Sequence, residues 1–214
     1  MWLRRLLVAA YDLQETASHT PADVDWETLP ERCVLQMHWH RTPEVLDLFA
    51  RHGFEPVVIA RHPLDVLLSI LHFAPQEPQT ANWLDGEGGD ESELTGADAE
   101  SEAFRAYATG PRARALLSVT PEWWPHVVGR LRYEDLVADT PAELACIQDA
   151  LDAEPVVPIE EAAAAVRFAD LQREATNGHF WQGKAGLWRT TIAPELAAEI
   201  AAAQPSLAQL GYAV

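Results

Sequence analysis

The sequence predicts an α/β fold on a central parallel sheet, and three stretches predict it. In Val57–Phe73, VVIARHPLDVLLSILHF, the hydrophobic period changes halfway. Val57, Val58, Ile59 and Ala60 form the short continuous apolar run of a strand buried on both faces, while Val66, Leu67, Ile70, Leu71 and Phe73 recur at helical spacing. Cys33–Trp39 (CVLQMHW) reads as a second strand, joined to the first through a helix in a right-handed βαβ unit. Val127–Tyr133 (VVGRLRY) reads as a third, followed by a capped helix.

In chain order, the first helix begins at the first residue. Trp2, Leu3, Leu6, Leu7, Ala10 and Leu13 recur at helical spacing, with Arg4, Arg5 and Asp12 on the other side. Asp12 interrupts the apolar patch, which is too short for a signal peptide or a membrane span. Residues 16–32 are polar, with Pro21 and Pro30, and read as a connection. Thr42 and Pro43 supply the cap and first position of the next helix, Val45, Leu46 and Phe49 its apolar side, and Gly53 the residue past its end. After Val57–Ala60 a helix starts at about Pro63, with Asp65 in its first turn.

Residues 75–102 form an acidic loop expected to be mobile. From Asp85 to Glu102 there are eight acids and no basic residue, interleaved with Gly86, Gly88 and Gly89, so the loop has little to bury. Such a loop is either simply solvated or a contact surface. Order resumes at Trp123-Trp124-Pro125. Thr140-Pro141-Ala142-Glu143 reads as a capping box, with Leu144, Ile147 and Leu151 inward on its helix. Ala162–Ala175 reads as a helix ending at Asn177-Gly178, and Pro194–Ala203 as the last helix, with Ala193 a poor cap.

With 214 residues the chain is expected to form one domain, 1–214. Thirty-three acids against fifteen Lys plus Arg give a formal charge of −18, which repels nucleic acid and anionic membranes. An anionic ligand therefore needs a local cationic pocket. Cys33 and Cys146 lie far apart, so no disulfide framework and no cysteine metal motif is expected, and a reducing cytoplasm fits.

Two places carry candidate chemistry. Arg61 sits where a strand ends, and Ser69 lies on the following helix, on the face shared with Asp65 and His72. An arginine and a hydroxyl so placed could converge on one phosphate; the alternative is that Arg61 pairs with Asp65 and Ser69 is ordinary helix surface. His38 and His40, two apart at the end of the second strand, are expected to point to one side. They read as surface or hydrogen-bonded histidines, or as a zinc pair, although no third or fourth ligand has suitable spacing.

The stretch Arg61-His62-Pro63-Leu64-Asp65 with Ser69 resembles the 3′-phosphate segment of the sulfotransferases that use 3′-phosphoadenosine 5′-phosphosulfate (PAPS). Three further strings resemble that family in the same order. Gln36-Met37-His38 is similar to its Lys-x-His motif, Arg132-Tyr133-Glu134-Asp135-Leu136 to a strand-to-helix junction of bacterial members, and Gly183-Lys184-Ala185-Gly186-Leu187-Trp188 to its Gly-x-x-Gly-x-Trp loop. The resemblance implies a three-layer sulfotransferase fold related to the P-loop NTPases, and sulfuryl transfer from PAPS to a hydroxyl or amine without a metal. It implies His38 as general base, Arg61, Ser69 and Gly183 on the 3′-phosphate, and Trp2 and Phe168 on the adenine. A core role for Phe168 is the other reading.

Departures from the family pattern are specific. Gln36 stands where the family has lysine, and Trp181-Gln182 where it has Arg-Lys, leaving Lys184 as the nearest cation. The strand and phosphosulfate loop that the family places before the first helix are absent from a chain starting Met1-Trp2-Leu3. A misassigned start, a fragment, or a genuine short form that lacks the usual donor site is therefore expected, and a truncated or degenerate relative that binds nucleotide or a partner without turnover is the alternative to an active sulfotransferase. The family's acceptor lid falls in the acidic loop, which favours a small neutral or cationic acceptor.

Overall fold

The computed structural model describes residues 1–174 and 182–214. Helix α1 (Trp2–Tyr11) opens the chain, and the polar stretch after it includes a short strand, β1 (Gln14–Ala17). The sequence reading places a connection there, because QETA has no apolar alternation. Its side chains are mostly exposed, and it is held through its backbone by parallel pairing with β2 (Cys33–Gln36), Gln14 opposite Cys33. β2 stops at Gln36, so His38 and His40 stand beyond the strand, not within it.

Helix α2 (Pro43–His52) follows the expected signals: Thr42 Oγ1 accepts the Val45 N–H at 3.3 Å, and Gly53 closes the helix at φ 68°. β3 (Val57–Ala60) and α3 (Pro63–Phe73) form as read. β3 pairs in parallel with β4 (Gly129–Arg132), Val57 opposite Gly129. Among the described residues the four strands form two separate parallel pairs where one continuous sheet is expected.

The pairs nevertheless share one layer between helices. Val34, Val57 and Ile59 pack with Leu3, Leu6 and Leu7 of α1, whereas Leu35, Met37 and Val58 pack with Phe49 of α2 and Trp123. This alternation is the period-two signature of strands covered on both faces.

Residues 103–122, to which the sequence reading assigns no structure, are spanned by α4 (Glu102–Thr109) and α5 (Pro111–Trp123). Ser101 Oγ caps α4 by accepting the Phe104 N–H at 3.2 Å, and Phe104 is fully buried. The acidic segment before them is pinned to α5. Arg112 and Glu91 form a buried ion pair, Nε to Oε1 at 2.7 Å. The same guanidinium donates to the carbonyls of Thr80, Trp83 and Glu87, each at 2.9 Å. Leu84 and Leu94 are buried as well, and Leu84 and Asp85 hold left-handed backbone at φ 52° and 53°. Counting acids misses these anchors.

α6 (Tyr133–Ala138) and α7 (Thr140–Leu151) follow β4. The cap of α7 is Asp139, not Thr140: Asp139 Oδ1 accepts the Ala142 N–H at 3.1 Å, while Thr140 Oγ1 donates to the Leu136 carbonyl at 2.8 Å and closes α6. The single helix expected over 162–175 is two, α8 (Ile159–Ala165) and α9 (Phe168–Glu174), broken at Val166 with φ −119° and ψ 58°. Its expected end at Asn177-Gly178 lies outside the described residues. α10 (Trp188–Thr191), α11 (Pro194–Ala203) and a further short helix, α12 (Ser206–Gln209), complete the chain. They pack with α3, α4 and α5 in a core that includes Leu67, Phe104, Leu117, Trp188 and Ile200.

Candidate functional site

Arg61 leaves the end of β3 directly after fully buried Ala60 and turns toward α3. Its Nη1 donates to Ser69 Oγ at 2.7 Å, its Nη2 to the Lys184 carbonyl at 3.3 Å, and its guanidinium lies 4.6 Å from the Tyr133 ring centre. Nε is shielded from solvent and has no hydrogen-bond partner among the described residues. Among the described residues no carboxylate forms an ion pair with Arg61. The alternative pairing with Asp65 is not what forms. Asp65 is fully buried and spends its oxygens elsewhere, Oδ2 on the Gly186 N–H at 2.6 Å and Oδ1 on the Trp188 N–H at 2.9 Å.

That carboxylate fixes the glycine loop beside Arg61. Gly183 has φ 63°, and a Cβ there would overlap the Phe168 ring, so both conformation and close approach require glycine. Phe168 in turn meets Trp2 edge-on at 5.6 Å between ring centres, and Trp2 meets Tyr133 at 6.4 Å. The Trp2 Nε1–H donates to the Val166 carbonyl at 2.9 Å, an acceptor freed where α8 breaks. Trp2, Phe168, Gly183, Arg61 and Ser69 are therefore linked by contacts at one end of β3 and β4. Trp181 lies outside the described residues; Lys184 is exposed.

Sequence reasoning names no functional residue in Arg132–Leu136, yet two residues there support the site. Tyr133 carries the guanidinium of Arg61, and burial raises its phenol pKa. Glu134 Oε1 accepts the His62 N–H at 2.8 Å, and Oε2 accepts the Tyr212 O–H at 2.9 Å, which ties the turn after β3 to the end of the chain. His62 Nδ1 accepts the Leu64 N–H at 3.2 Å and Nε2 faces the Ala213 carbonyl at 3.2 Å, so the ring is neutral with its proton on Nε2. Burial lowers its pKa. The only signal for these supports is the RYEDL string itself.

His38 stands apart from that cluster, past the end of β2. Its ring centre is 5.9 Å from that of Trp83, which stacks on Phe73 at 6.3 Å and 10°. The side chain reaches solvent, and no hydrogen bond to it occurs among the described residues. Desolvation lowers its pKa below the ordinary 6.5, with the N-terminal amine and then His19 adding to the effect. His40, expected on the same side, is engaged differently: Nδ1 is 2.9 Å from Glu122 and Nε2 is 3.2 Å from Glu87. Gln36, in the lysine position, has a buried Oε1 without a partner among the described residues.

No family model matches the chain, and no curated protein matches it. Solved structures do. A mouse sulfotransferase, SULT7A1, complexed with PAP superposes with a TM-score of 0.70 at 15% identity, over 99% of this chain and 84% of that one. A retinol dehydratase in complex with androsterone and the inactive cofactor PAP gives 0.56 at 20% identity, over 85% of this chain and 55% of that one. The α/β fold of this chain is the fold of these proteins.

Proposed function

We propose that this chain is a sulfotransferase that moves a sulfuryl group from PAPS to a hydroxyl, or an amine, of a small neutral or cationic acceptor. The observation that carries the reading is the state of Arg61. It is held in place by Ser69, Tyr133 and the Lys184 carbonyl and, among the described residues, has no carboxylate partner and keeps a buried N–H unspent. A guanidinium and a hydroxyl so arranged fit a phosphate, and the edge formed by Trp2 and Phe168 fits a purine beside it. In a chain of formal charge −18 this is the local cationic pocket that an anionic ligand needs.

PAPS would supply the sulfuryl group and its leaving phosphate. Arg61, Ser69 and the Gly183–Lys184 backbone would hold the 3′-phosphate, which fixes the donor for in-line displacement. His38, kept neutral by its surroundings, would take the acceptor proton as the new S–O bond forms and the bond to the 5′-phosphate breaks. No metal is called for, since positioning and charge stabilisation carry such transfers. Replacement of the family's lysine by Gln36 removes one cation from the transferring group and favours a second reading, nucleotide binding without turnover. Incubation with labelled PAPS and a panel of small alcohols, phenols and amines separates them. A labelled sulfate ester or sulfamate supports transfer; nucleotide binding with no product from any acceptor supports the second reading.

A further inference from the structure

Strands β1 and β2 end in step. Ala17 stands opposite Gln36, and the Ser18 N–H donates to the Gln36 carbonyl at 3.1 Å. His19 and His38, each two residues further on, therefore come near one another, close enough for each to feel the other's charge. His19 Nε2 lies 3.2 Å from Gln79 Oε1, which ties this end of β1 to the segment that carries Trp83 against His38. A groove of about 680 Å³ opens here, lined by Thr20 and Asp23 from one segment and by Asn82 and Asp85 from the other. That volume falls within the roughly 300–1,000 Å³ of small-molecule sites.

The chemistry of the lining is specific. Ala17 and Ala81 are its only apolar members, and it contains no lysine or arginine. Asp23 Oδ2 accepts the Thr20 N–H at 3.1 Å and the Thr20 hydroxyl at 3.0 Å, which fixes the carboxylate and leaves Oδ1 for a ligand. The Asp85 carboxylate has no hydrogen bond or ion pair among the described residues. Two carboxylates lining one groove without a counter-cation concentrate a negative potential that favours a cation. The amides of Gln79 and Asn82 supply donors and acceptors for ligand hydroxyls, and there is little apolar surface on which a simple phenol could pack.

We infer that this groove binds the acceptor and that the acceptor is a hydroxylated amine, an amino alcohol or amino sugar, whose ammonium is held by Asp23 and Asp85 and whose hydroxyl is presented to His38. The acceptor role rests on the sulfotransferase reading; the affinity for a hydroxylated cation does not. The assignment also decides which atom reacts. An ammonium has no lone pair, so its nitrogen is not the nucleophile. The hydroxyl oxygen bonds to sulfur, the bond from sulfur to the 5′-phosphate oxygen breaks, and the hydroxyl proton passes to His38. The product is a sulfate ester, not a sulfamate.

The test is an NMR titration of this chain with glucosamine in its ammonium form, and with glucose and N-acetylglucosamine as neutral counterparts. Glucosamine binds saturably at millimolar concentration and moves the ring signals of His19 and His38, while both neutral sugars bind at least about 5-fold more weakly. Asp85→Asn keeps a residue type that tolerates the left-handed backbone at φ 53°. It weakens glucosamine by about 5-fold or more, whereas Glu160→Gln on α8, which removes the same charge elsewhere, leaves binding as in the parent. Neutral sugars that bind as well as glucosamine overturn the inference. Equal losses in the two variants also overturn it, because the general acidity of the chain then holds the cation. A parallel titration with PAP separates the two readings. PAP bound without glucosamine removes the amine site and leaves the transferase reading standing; glucosamine bound at His19 and His38 without PAP supports the amine site and removes the transfer.

Discussion

The Trp188 N–H donates to Asp65 Oδ1 at 2.9 Å, across 123 residues of sequence. With the Gly186 N–H on the other oxygen at 2.6 Å, one carboxylate in the first turn of α3 determines where the glycine loop lies relative to Arg61. The two strings that sequence reasoning treats as separate phosphate contacts are thus one mechanical unit. Asp65→Asn turns an NH₂ group toward one of these amides and leaves it buried without an acceptor. We expect a loss of about 1–3 kcal/mol in urea unfolding, and a larger loss for Asp65→Ala. An unaltered midpoint for Asp65→Asn would remove the clamp.

Arg112 is expected to anchor the acidic segment. Arg112→Ala leaves Glu91 buried without its partner, at a cost of about 3–5 kcal/mol, with fast exchange spreading through residues 80–94. Deleting only residues 95–98, beyond these anchors, is expected to cost little. Exchange across 80–94 that Arg112→Ala leaves unaltered would show that other contacts hold the segment.

His62 gives stability a pH dependence of known sign. Burial lowers its folded pKa below the ordinary 6.5, so above that value both folded and unfolded chains hold it neutral and nothing is lost. As pH falls below 6.5 the unfolded chain takes up the proton first, and stability declines until the folded pKa is reached. Protonation also removes the acceptor of the Leu64 N–H. Unfolding curves at pH 7.5 and 5.5 should show a smaller difference for His62→Asn than for the parent, which separates this residue from the general effect of the acids. Identical differences would exclude it.

His38→Ala is expected to lower transfer by about 10²- to 10⁴-fold while PAP binding is spared. His40→Ala should act mainly through the Glu87 and Glu122 contacts and cost much less turnover. Because the lowered pKa keeps His38 neutral, the acidic limb of the rate profile should lie below 6.5. Inactive His40→Ala beside active His38→Ala would put the histidine alignment out of register.

What the sequence reveals here follows from which interactions are local. β3, α2 and α3 are legible because period, caps and proline placement are written within a few residues. Arg61 and Ser69, eight apart across one turn, are legible for the same reason. β1 is not, since a polar strand is defined by its partner's backbone. α4 and α5 carry ordinary signals, a Ser101 cap and a proline at the start of α5, that charge counting in the preceding loop obscures. Asp65 on the glycine loop, Tyr133 under Arg61 and Arg112 under the acidic segment depend on contacts between distant segments, which no local pattern encodes.

The most direct measurement is calorimetric titration of the chain with PAP, beside Arg61→Ala. Binding by the parent, weakened by about 1.5–3 kcal/mol in Arg61→Ala, or roughly 10- to 150-fold in Kd, is the expected result. Ser69→Ala should lose less. PAP that fails to bind the parent, or binds Arg61→Ala equally well, would contradict the assignment of this site to a nucleotide phosphate.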